Sequence, residues 1–313
     1  MLRTIQPTAG VDLLAPTIFH EPWWLDIATE GRYSVVEVSE HGRVVGRWPY
    51  FLRKKMGLSI VDLPPLTHFL GPVIIKPLTK PLQRLHIAKE LIGKLPSTSA
   101  FYVKCHRDVQ DIIAFQSMGF RSSVQFTHEI RPQPTDIIWK NMHAKRRNVI
   151  RKASARYNVS AGDATVALMQ FYRRNMEGMG RTNILDIGVC AKLIQACLER
   201  NRGCLYEARE QNGKLAGAIF CAWDSVASYY LMTTRDSTAH SGTISLLVWK
   251  AMTDAAKRDL IFDLDGVYNE GGARFAYDFT TNIVPRYIAV RESAPMRVFR
   301  AVKSVFRERN CFF

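Results

Sequence analysis

The sequence has no metal-binding cysteine pattern and no long hydrophobic run. None of its six cysteines forms a CxxC pair, and no nearby histidine completes a zinc pattern, so we expect no metal site. No apolar stretch approaches the roughly 18 residues of a membrane-spanning helix. The apolar run at residues 13–15 is too short for a secretion signal. These absences favour a cytoplasmic protein.

Acidic residues are scarce relative to basic ones. The chain has 43 Lys and Arg against 28 Asp and Glu, which gives a net charge of +15. This excess favours polyanionic partners such as nucleic acid, a nucleotide-linked substrate or an anionic membrane surface. A solvated basic surface is the alternative. With 313 residues, 47% of them hydrophobic, the chain is typical of two ordinary globular domains.

Two regions of the chain repeat one order of elements. Residues 33–39 and 43–53 alternate as two strands around a Gly-containing turn, and residues 204–210 and 214–223 do the same. In both regions a strand, a helix and a further strand follow. The repeat predicts two similar α/β domains rather than a solenoid, because its period is far longer than that of solenoid repeats.

A proline pair marks the junction that we predict between these domains. Pro132 and Pro134 interrupt regular structure, since a residue before proline avoids helical conformation. We therefore expect an N-terminal domain at residues 1–132 and a C-terminal, catalytic domain at residues 133–313, each with its own sheet.

A turn in the second half has the composition of an anion site. The strand that ends at residues 231–235, with Thr233, precedes a turn of Ser241, Gly242 and Thr243 and then a helix. Free backbone N–H groups and the helix dipole attract phosphate at such a place, as for the pyrophosphate of CoA. An ordinary helix cap is the alternative.

Two acids stand at the end of the following strand. By alternation, Asp263 and Asp265 share one face of the strand, and Phe262 and Leu264 share the other. Carboxylates at the C-terminal end of a strand are well placed to orient or deprotonate an attacking amine. The alternative is structural: Asp263 satisfies the backbone, and Asp265 or Asn269 caps the next helix.

Residues 139–156 form a basic segment without an acid. Arg147 and Arg151 lie one helical turn apart, and each could form a bidentate pair with a phosphate. Uncompensated cations repel one another, so the segment favours contact with phosphate or nucleic acid over a solvated face. Its seven basic residues are Lys140, Lys145, Arg146, Arg147, Arg151, Lys152 and Arg156.

The C-terminal segment is basic and amphipathic. Phe299, Val302 and Phe306 recur at helical spacing among five cations. We predict a final helix that packs back on the N-terminal domain. Peripheral contact with a membrane is the alternative. The five cations are Arg297, Arg300, Lys303, Arg307 and Arg309.

The order of these motifs resembles the FemAB-like superfamily of double-GNAT acyltransferases. The resemblance runs from Phe19 to Tyr287 and rests on the opening FHEPWWLD, the basic KRRNVIRKA, the strand end LDG before Gly271 and Arg274, and the later VP at residues 284–285. It implies two tandem GNAT-like domains, each a mixed, mostly antiparallel sheet flanked by helices. It also implies that basic residues contact tRNA or nucleotide phosphates, and the matching positions here are Lys145, Arg147 and Arg151.

The resemblance also implies an acyltransferase that forms an amide by direct attack of an acceptor amine. We expect the aminoacyl group to come from aminoacyl-tRNA. Acyl-CoA as the donor and a non-catalytic RNA-binding module are the alternatives. The coiled-coil arm of many Fem enzymes is not evident, which favours a smaller acceptor than peptidoglycan, such as an amine-bearing small molecule or a natural-product or cell-wall precursor.

The predicted site needs no tightly bound cofactor and no covalent intermediate, since a nucleophile motif such as GxSxG is absent. A GNAT site supplies a backbone hydrogen-bond donor at the splayed centre of the sheet, here near residues 230–233. We assign Asp265 as the proton acceptor and Tyr230 and Tyr268 as candidate proton donors. Asp263 and Arg274 are the predicted substrate-binding residues.

Overall fold

A computed structural model describes residues 12–55, 57–75, 79–178, 180, 185–266 and 269–297. The helices are α1 (Pro22–Thr29), α2 (Pro81–Gly93), α3 (Ile113–Ser117), α4 (Thr135–Asn141), α5 (Ala144–Ser154), α6 (Thr165–Gly178), α7 (Ile187–Glu199), α8 (Thr243–Lys257) and α9 (Glu270–Tyr277). The strands are β1 (Tyr33–Glu40), β2 (Arg43–Lys55), β3 (Leu58–Asp62), β4 (Val73–Ile74), β5 (Ala100–Lys104), β6 (Arg121–Ile130), β7 (Asn158–Gly162), β8 (Gly203–Arg209), β9 (Leu215–Trp223), β10 (Ala227–Arg235), β11 (Ile261–Gly266) and β12 (Ile283–Glu292).

Local sequence explains several of these elements. The turn between β1 and β2 uses Gly42 at φ 76°, a conformation that glycine adopts without steric cost. Helix α7 begins where the Asp186 side chain accepts a hydrogen bond from the Val189 N–H at 3.0 Å. The predicted hairpins at residues 33–53 and 204–223 are confirmed as β1–β2 and β8–β9.

The basic segment is two helices rather than one. Helix α4 ends at Asn141, Met142 is extended, and α5 begins after His143, whose ring accepts a hydrogen bond from the Lys145 N–H. This break separates Lys140 from the cations of α5 and turns the two helices relative to each other.

In the described residues, twelve strands form one sheet. Along its main path the order is β1-β2-β3-β5-β12-β6-β11-β10-β9-β8-β7, and β4 pairs with β2. The pairs β3–β5 and β10–β11 are parallel, and the other neighbours are antiparallel. The mixed, mostly antiparallel sheet flanked by helices confirms the predicted fold class.

The two halves exchange their last strands. Strand β12, from the end of the chain, lies between β5 and β6, where Ile288 pairs with Lys104 on one side and Ser123 on the other. Strand β6 in turn lies between β12 and β11. The expected sheets are therefore joined into one instead of standing apart. The domain boundary between residues 132 and 133 stays a prediction. Strand β12 belongs to the second half by sequence but pairs with β5 and β6 of the first half.

Helices cover the two faces of the sheet with different cores. One face carries Phe262, Leu264 and Tyr230 under α4, α5, α8 and α9. The opposite face carries Phe220 and Tyr229 under α1, α6 and α7. A further cluster lies under α2 and α3. In the described part of the chain no helix is both long and apolar enough to cross a bilayer. The C-terminal segment from residue 298 lies outside the described residues.

Candidate active site

Strands β10 and β11 separate near the middle of the sheet. Their parallel pairing ends at Tyr229 and Asp263, although β10 continues to Arg235. Opposite this point the register of β10 against β9 shifts between Tyr230 and Met232. Among the described residues, β10 therefore has from Tyr230 onward a strand neighbour on one edge only, and its other edge can offer backbone N–H and C=O groups to a ligand. The predicted backbone donor near residues 230–233 lies at this opening.

Asp265 stands in a strained bulge at the same opening. Its φ is 66°, a left-handed conformation that is uncommon for a residue with a side chain. The bulge lies where the register of β11 against β6 shifts between Asp263 and Gly266. The Asp265 N–H donates to Asp263 Oδ1 at 2.9 Å, and the Thr127 hydroxyl, whose single proton also faces Asp263 Oδ1, lies 2.7 Å from the Asp265 carbonyl oxygen. The surrounding structure thus fixes the direction of the Asp265 carboxylate.

Two residues of the first half contact that carboxylate. The Lys104 ammonium donates to Asp265 Oδ1 at 2.7 Å, and the Lys104 side chain is only 2% exposed. His68 Nε2 lies 3.5 Å from the other oxygen, Oδ2. The Asp265 side chain itself is 22% exposed, so it reaches solvent at the opening. The site is therefore assembled from both halves of the chain.

Asp263 is an anchor and not an open substrate ligand. It is buried, it accepts from Thr127 Oγ1 at 2.5 Å, and it lies 3.1 Å from Arg286 Nη2. Burial alone would raise the pKa of Asp263, but Arg286, the Thr127 hydrogen bond and Arg107 outweigh it and lower the pKa. The prediction that Asp263 binds substrate is corrected, because its oxygens are already engaged inside the protein.

Six charged side chains meet on this face, and we name them the junction network. Arg286 donates to Glu129 as well as to Asp263, and Arg107 Nη2 lies 3.5 Å from Glu129. Positive and negative members balance in number, which is how buried charges are tolerated. The members are Lys104, Arg107, Arg286, Glu129, Asp263 and Asp265.

Sequence reasoning missed most of this network. Lys104, Arg107, Arg286 and Glu129 were not singled out, and neither was His68. One signal was present: Lys104 ends an otherwise apolar strand, and Arg286 interrupts another. A cation within a buried strand needs an anionic partner, and Asp263 and Asp265 at the end of β11 were the candidate partners.

Tyr230 does not share a cleft with the two acids. It packs with the core on the face of Phe262, whereas Asp263 lies with Tyr229 on the opposite face. Burial raises the pKa of the Tyr230 hydroxyl, although a hydrogen bond with Thr233 lowers it, so the group stays protonated. The predicted grouping of Tyr230 with Asp265 is corrected by the alternation of β10.

Two other predicted residues do not join the site. Arg274 pairs with Glu270 at 2.6 Å on the surface of α9, with both side chains more than three-quarters exposed. Tyr268 lies outside the described residues.

The turn that was predicted to bind phosphate is closed. The Gly242 N–H donates to His240 Nδ1 and the Thr243 N–H donates to the His240 carbonyl, each at 3.0 Å. Helix α5 packs against the turn, so that a Cβ at Gly242 would lie 2.8 Å from the Val149 carbonyl oxygen. Thr243 is fully buried and Ser241 is exposed. This geometry favours a structural role for Ser241, Gly242 and Thr243 over phosphate binding, with Gly242 at the N-cap position of α8 and no side-chain cap.

The cations of α5 divide into structural and exposed groups. Arg147 donates to the carbonyl oxygens of Lys140 at 2.8 Å and Met142 at 2.6 Å, so it caps the end of α4. Arg146 pairs with Asp278 at 2.7 Å. Arg151 is exposed and stacks its guanidinium over Trp139. Lys145 and Lys152 are also exposed on α5, as are Lys140 near the end of α4 and Arg156 just after α5.

Comparisons with known proteins agree with this fold. Residues 140–277 match the acetyltransferase (GNAT) domain family. FemX superposes with a TM-score of 0.64 at 12% identity, over 85% of this chain and 90% of FemX. The C-terminal domain of a putative lysylphosphatidylglycerol synthetase from Agrobacterium fabrum gives a TM-score of 0.62 at 13% identity, over 90% of this chain and 91% of that domain.

L-PGS from Bacillus licheniformis is also similar, with a TM-score of 0.56 at 11% identity over 90% of each chain. No curated protein matches the chain in sequence. At these identities the solved structures show a shared fold. Residues 140–277 are similar to the acetyltransferase (GNAT) domain family, and the chain has the fold of FemX and of the putative lysylphosphatidylglycerol synthetase domain.

Proposed function

We propose that the chain transfers an aminoacyl group from aminoacyl-tRNA to an acceptor amine. One observation on the second half of the chain supports aminoacyl-tRNA as the donor: two features that could bind phosphate differ in how accessible they are. The turn suited to the pyrophosphate of CoA is closed, while a group of cations beside it stays exposed.

The closed turn disfavours a small phosphate ligand there. A phosphate at a helix start needs backbone N–H groups that point outward. At α8 the N–H groups of Gly242 and Thr243 already donate to His240, and Val149 covers the turn. To bind CoA in that position, α5 would have to move and two hydrogen bonds would have to break.

The exposed cations suit an extended polyanion. Lys145 and Lys152 are exposed on α5 and Arg156 is exposed just after it, and within the described ranges no ion pair engages these three side chains. Such side chains bind the phosphates of a nucleic acid and release its counterions without reading sequence. Together with the +15 charge of the chain, they support tRNA as the carrier of the acyl group.

The opening between β10 and β11 supports the transfer step. In direct aminolysis the amine attacks the ester carbonyl, and its oxygen gains negative charge. The free edge of β10 near Tyr230 can supply a backbone N–H to that oxygen, and Asp265 stands on the opposite side of the opening. No covalent enzyme intermediate is needed.

Acyl-CoA is a second candidate donor because of this same opening. A gap between two parallel strands can accept the peptide-like arm of CoA by hydrogen bonding along the free edge. In that case the phosphates of CoA would lie away from the α8 turn.

The test is transfer of label from two donors in parallel. Bulk tRNA charged with radiolabelled amino acids, or labelled acetyl-CoA, is incubated with the protein and with glucosamine, putrescine or phosphatidylglycerol vesicles. We expect label from tRNA in an amide product. The vesicles are included because one structural neighbour is named as a domain of a putative lysylphosphatidylglycerol synthetase.

Each result has one meaning for the proposal. Label that arrives only from acetyl-CoA would overturn the donor. Label in the lipid would overturn the amine as acceptor, since phosphatidylglycerol offers a hydroxyl group. Salt-dependent tRNA binding without transfer to any acceptor would favour a non-catalytic RNA-binding module.

A further inference from the structure

We propose that His68 is the catalytic base of the acyl transfer and that Asp265 is its positioning residue. In this arrangement the Asp265 carboxylate orients the ring through Nε2–H, and His68 Nδ1 takes a proton from the acceptor amine. The inference rests on the proposed acyl transfer to an amine, and it holds for either donor. It replaces the sequence-based assignment of Asp265 as the direct proton acceptor.

The loop between β3 and β4 holds His68 against the second half. The Leu70 N–H donates to the Lys104 carbonyl at 2.9 Å, and the Thr67 hydroxyl accepts from the Trp24 indole at 2.9 Å. The imidazole packs near Phe19 and edge-on to Tyr229, with ring centroids 5.7 and 6.3 Å away. The ring is thus fixed from both sides, as a catalytic base must be.

The carboxylate of Asp265 is divided between two partners. Lys104 takes Oδ1 at 2.7 Å, and Oδ2 faces His68 Nε2 at 3.5 Å. The second separation is longer than a closed hydrogen bond, which is common before a substrate binds. An ionised carboxylate accepts only, so it selects the tautomer that carries the proton on Nε2.

That tautomer leaves Nδ1 as a lone-pair acceptor. Within the described residues Nδ1 is buried and has no hydrogen-bond partner. The neighbouring Tyr229 hydroxyl does not fill this role, because it donates to Asp224 at 2.6 Å. A buried acceptor without a donor is costly, so a donor from the substrate explains it. In the proposed arrangement the acceptor amine is this donor, and it must reach Nδ1 from the opening between β10 and β11.

The lowered pKa of His68 favours a neutral ring at pH 7. Burial lowers the pKa of His68 below its usual 6.5, and the positive charges of Lys104 and Arg286 lower it further. The carboxylates of Asp265 and Asp263 oppose these effects without reversing them. A neutral imidazole can accept a proton at pH 7, whereas an imidazolium cannot.

The step balances without any other reactant. The amine nitrogen forms a bond to the acyl carbon, and its proton moves to His68 Nδ1. The bond from the acyl carbon to the leaving oxygen of tRNA then breaks, and the leaving oxygen takes the proton back from His68. The products are an amide and a free tRNA hydroxyl, and the imidazole is neutral again.

Histidine NMR on the wild-type protein tests the dyad without any turnover. With ¹⁵N-labelled imidazole rings at pH 7, we expect His68 as the neutral tautomer with its proton on Nε2. In Asp265→Asn this preference should weaken. An imidazolium at pH 7, or a proton on Nδ1, would overturn the proposal whatever the donor proves to be.

Single-turnover kinetics test the role in the reaction, with the donor that wild type uses. His68→Gln should lower the rate by about 10²- to 10⁴-fold with little change in KM for the donor. The wild-type rate should rise with pH, with an apparent pKa below 6.5, and this rise should be absent in the variant. His86→Gln, at an exposed position of α2, is the matched control and should keep both rate and profile.

The two proposals fail in different ways. If wild type transfers nothing from charged tRNA but uses acetyl-CoA, the donor is wrong and the kinetic test proceeds with acetyl-CoA. If His68→Gln is folded by circular dichroism and keeps the wild-type rate and pH limb, the dyad is wrong and the donor stands. Should His68→Gln not fold, the tautomer measured in wild type decides.

Discussion

The ammonium of Lys104, at the end of β5, lies 2.7 Å from Asp265 Oδ1 in the bulge of β11. The two residues are 161 positions apart in sequence and come from opposite halves of the chain. Because Lys104 is almost fully buried, this carboxylate compensates the cost of removing its ammonium group from water. The pair therefore joins the halves and fixes the residue that orients His68.

Removing Lys104 should destabilise the protein more than removing an exposed cation. Lys104→Met leaves the Asp265 carboxylate without its cation, and because that carboxylate is partly exposed, water offsets some of the loss. We expect the free energy of unfolding to fall by about 2 kcal/mol. Urea unfolding followed by tryptophan fluorescence measures it.

The matched control is Arg274→Met, which breaks the exposed pair with Glu270. It should change the free energy of unfolding by no more than about 0.5 kcal/mol. Equal effects of the two substitutions would show that the buried pair does not join the halves.

Arg286 should be the most costly member of the junction network to lose. It is 2% exposed and bonds both Glu129 and Asp263, so Arg286→Met leaves two buried carboxylates with weaker compensation from Arg107. We expect a loss of about 3–5 kcal/mol in urea unfolding. Arg173→Met, on the exposed side of α6, is the control. A loss for Arg286→Met no larger than that of the control would contradict the role of the network.

Acid should weaken the protein partly through Asp263. Its pKa in the folded state is below the ordinary 3.8, so its stabilisation is present above that pH and is lost as the pH falls through the folded value. Unfolding free energies between pH 5 and pH 2 should decline less steeply in Asp263→Asn than in wild type. Asp163→Asn, at an exposed site, should follow wild type. Parallel curves for all three proteins would exclude Asp263 as a source of acid sensitivity.

The two kinds of cation on α5 should behave differently. Arg147→Ala removes the cap of α4 and should cost about 1–2 kcal/mol of stability with unchanged tRNA affinity. Lys145→Ala with Lys152→Ala should leave stability unchanged and weaken tRNA binding. The slope of log K against log salt should become shallower by about 0.7–0.9 per lost phosphate contact.

Filter binding of tRNA at several salt concentrations measures both variants. If Arg147→Ala weakens tRNA binding in a well-folded protein, this arginine contacts phosphate after all. If the double variant binds as wild type does, the exposed face of α5 is only solvated.

Tyr230 should contribute little to the proton transfers. Its side chain lies on the face opposite Asp265, so Tyr230→Phe should change the rate by less than about threefold. Asp265→Asn should lower the rate by roughly 10²-fold. Single-turnover rates of the two variants, compared at pH 7, separate the faces. A large loss in Tyr230→Phe would restore the tyrosine as a proton donor.

Elements that depend on neighbouring residues were predictable. The hairpin at residues 33–53 follows from alternation and a glycine turn, and the end of β11 follows from an apolar run that stops at two acids. The positions of Asp263 and Asp265 were predicted only in part, because the bulge at Asp265 interrupts the strand periodicity on which their shared face was predicted. The basic segment was predicted less well, since the break at Met142 and His143 depends on how α5 packs against α8.

The side chains that contact Asp263 and Asp265 could not be predicted from local sequence. Lys104, Arg286 and His68 meet them only because β12 inserts between β5 and β6 and the loop after β3 folds over the sheet. Pairing of strands so distant in the chain is chosen by the total burial and hydrogen bonding of the folded molecule, which no local pattern encodes.

Periodicity, turn residues and an excess of cations were therefore enough for the fold class, the hairpins and the acyltransferase resemblance. The folded arrangement alone decided which cations are exposed, which face Tyr230 occupies and which side chain stands beside Asp265. The physical reason is that charge becomes costly only when it is buried, and burial is a property of the packed chain and not of its order.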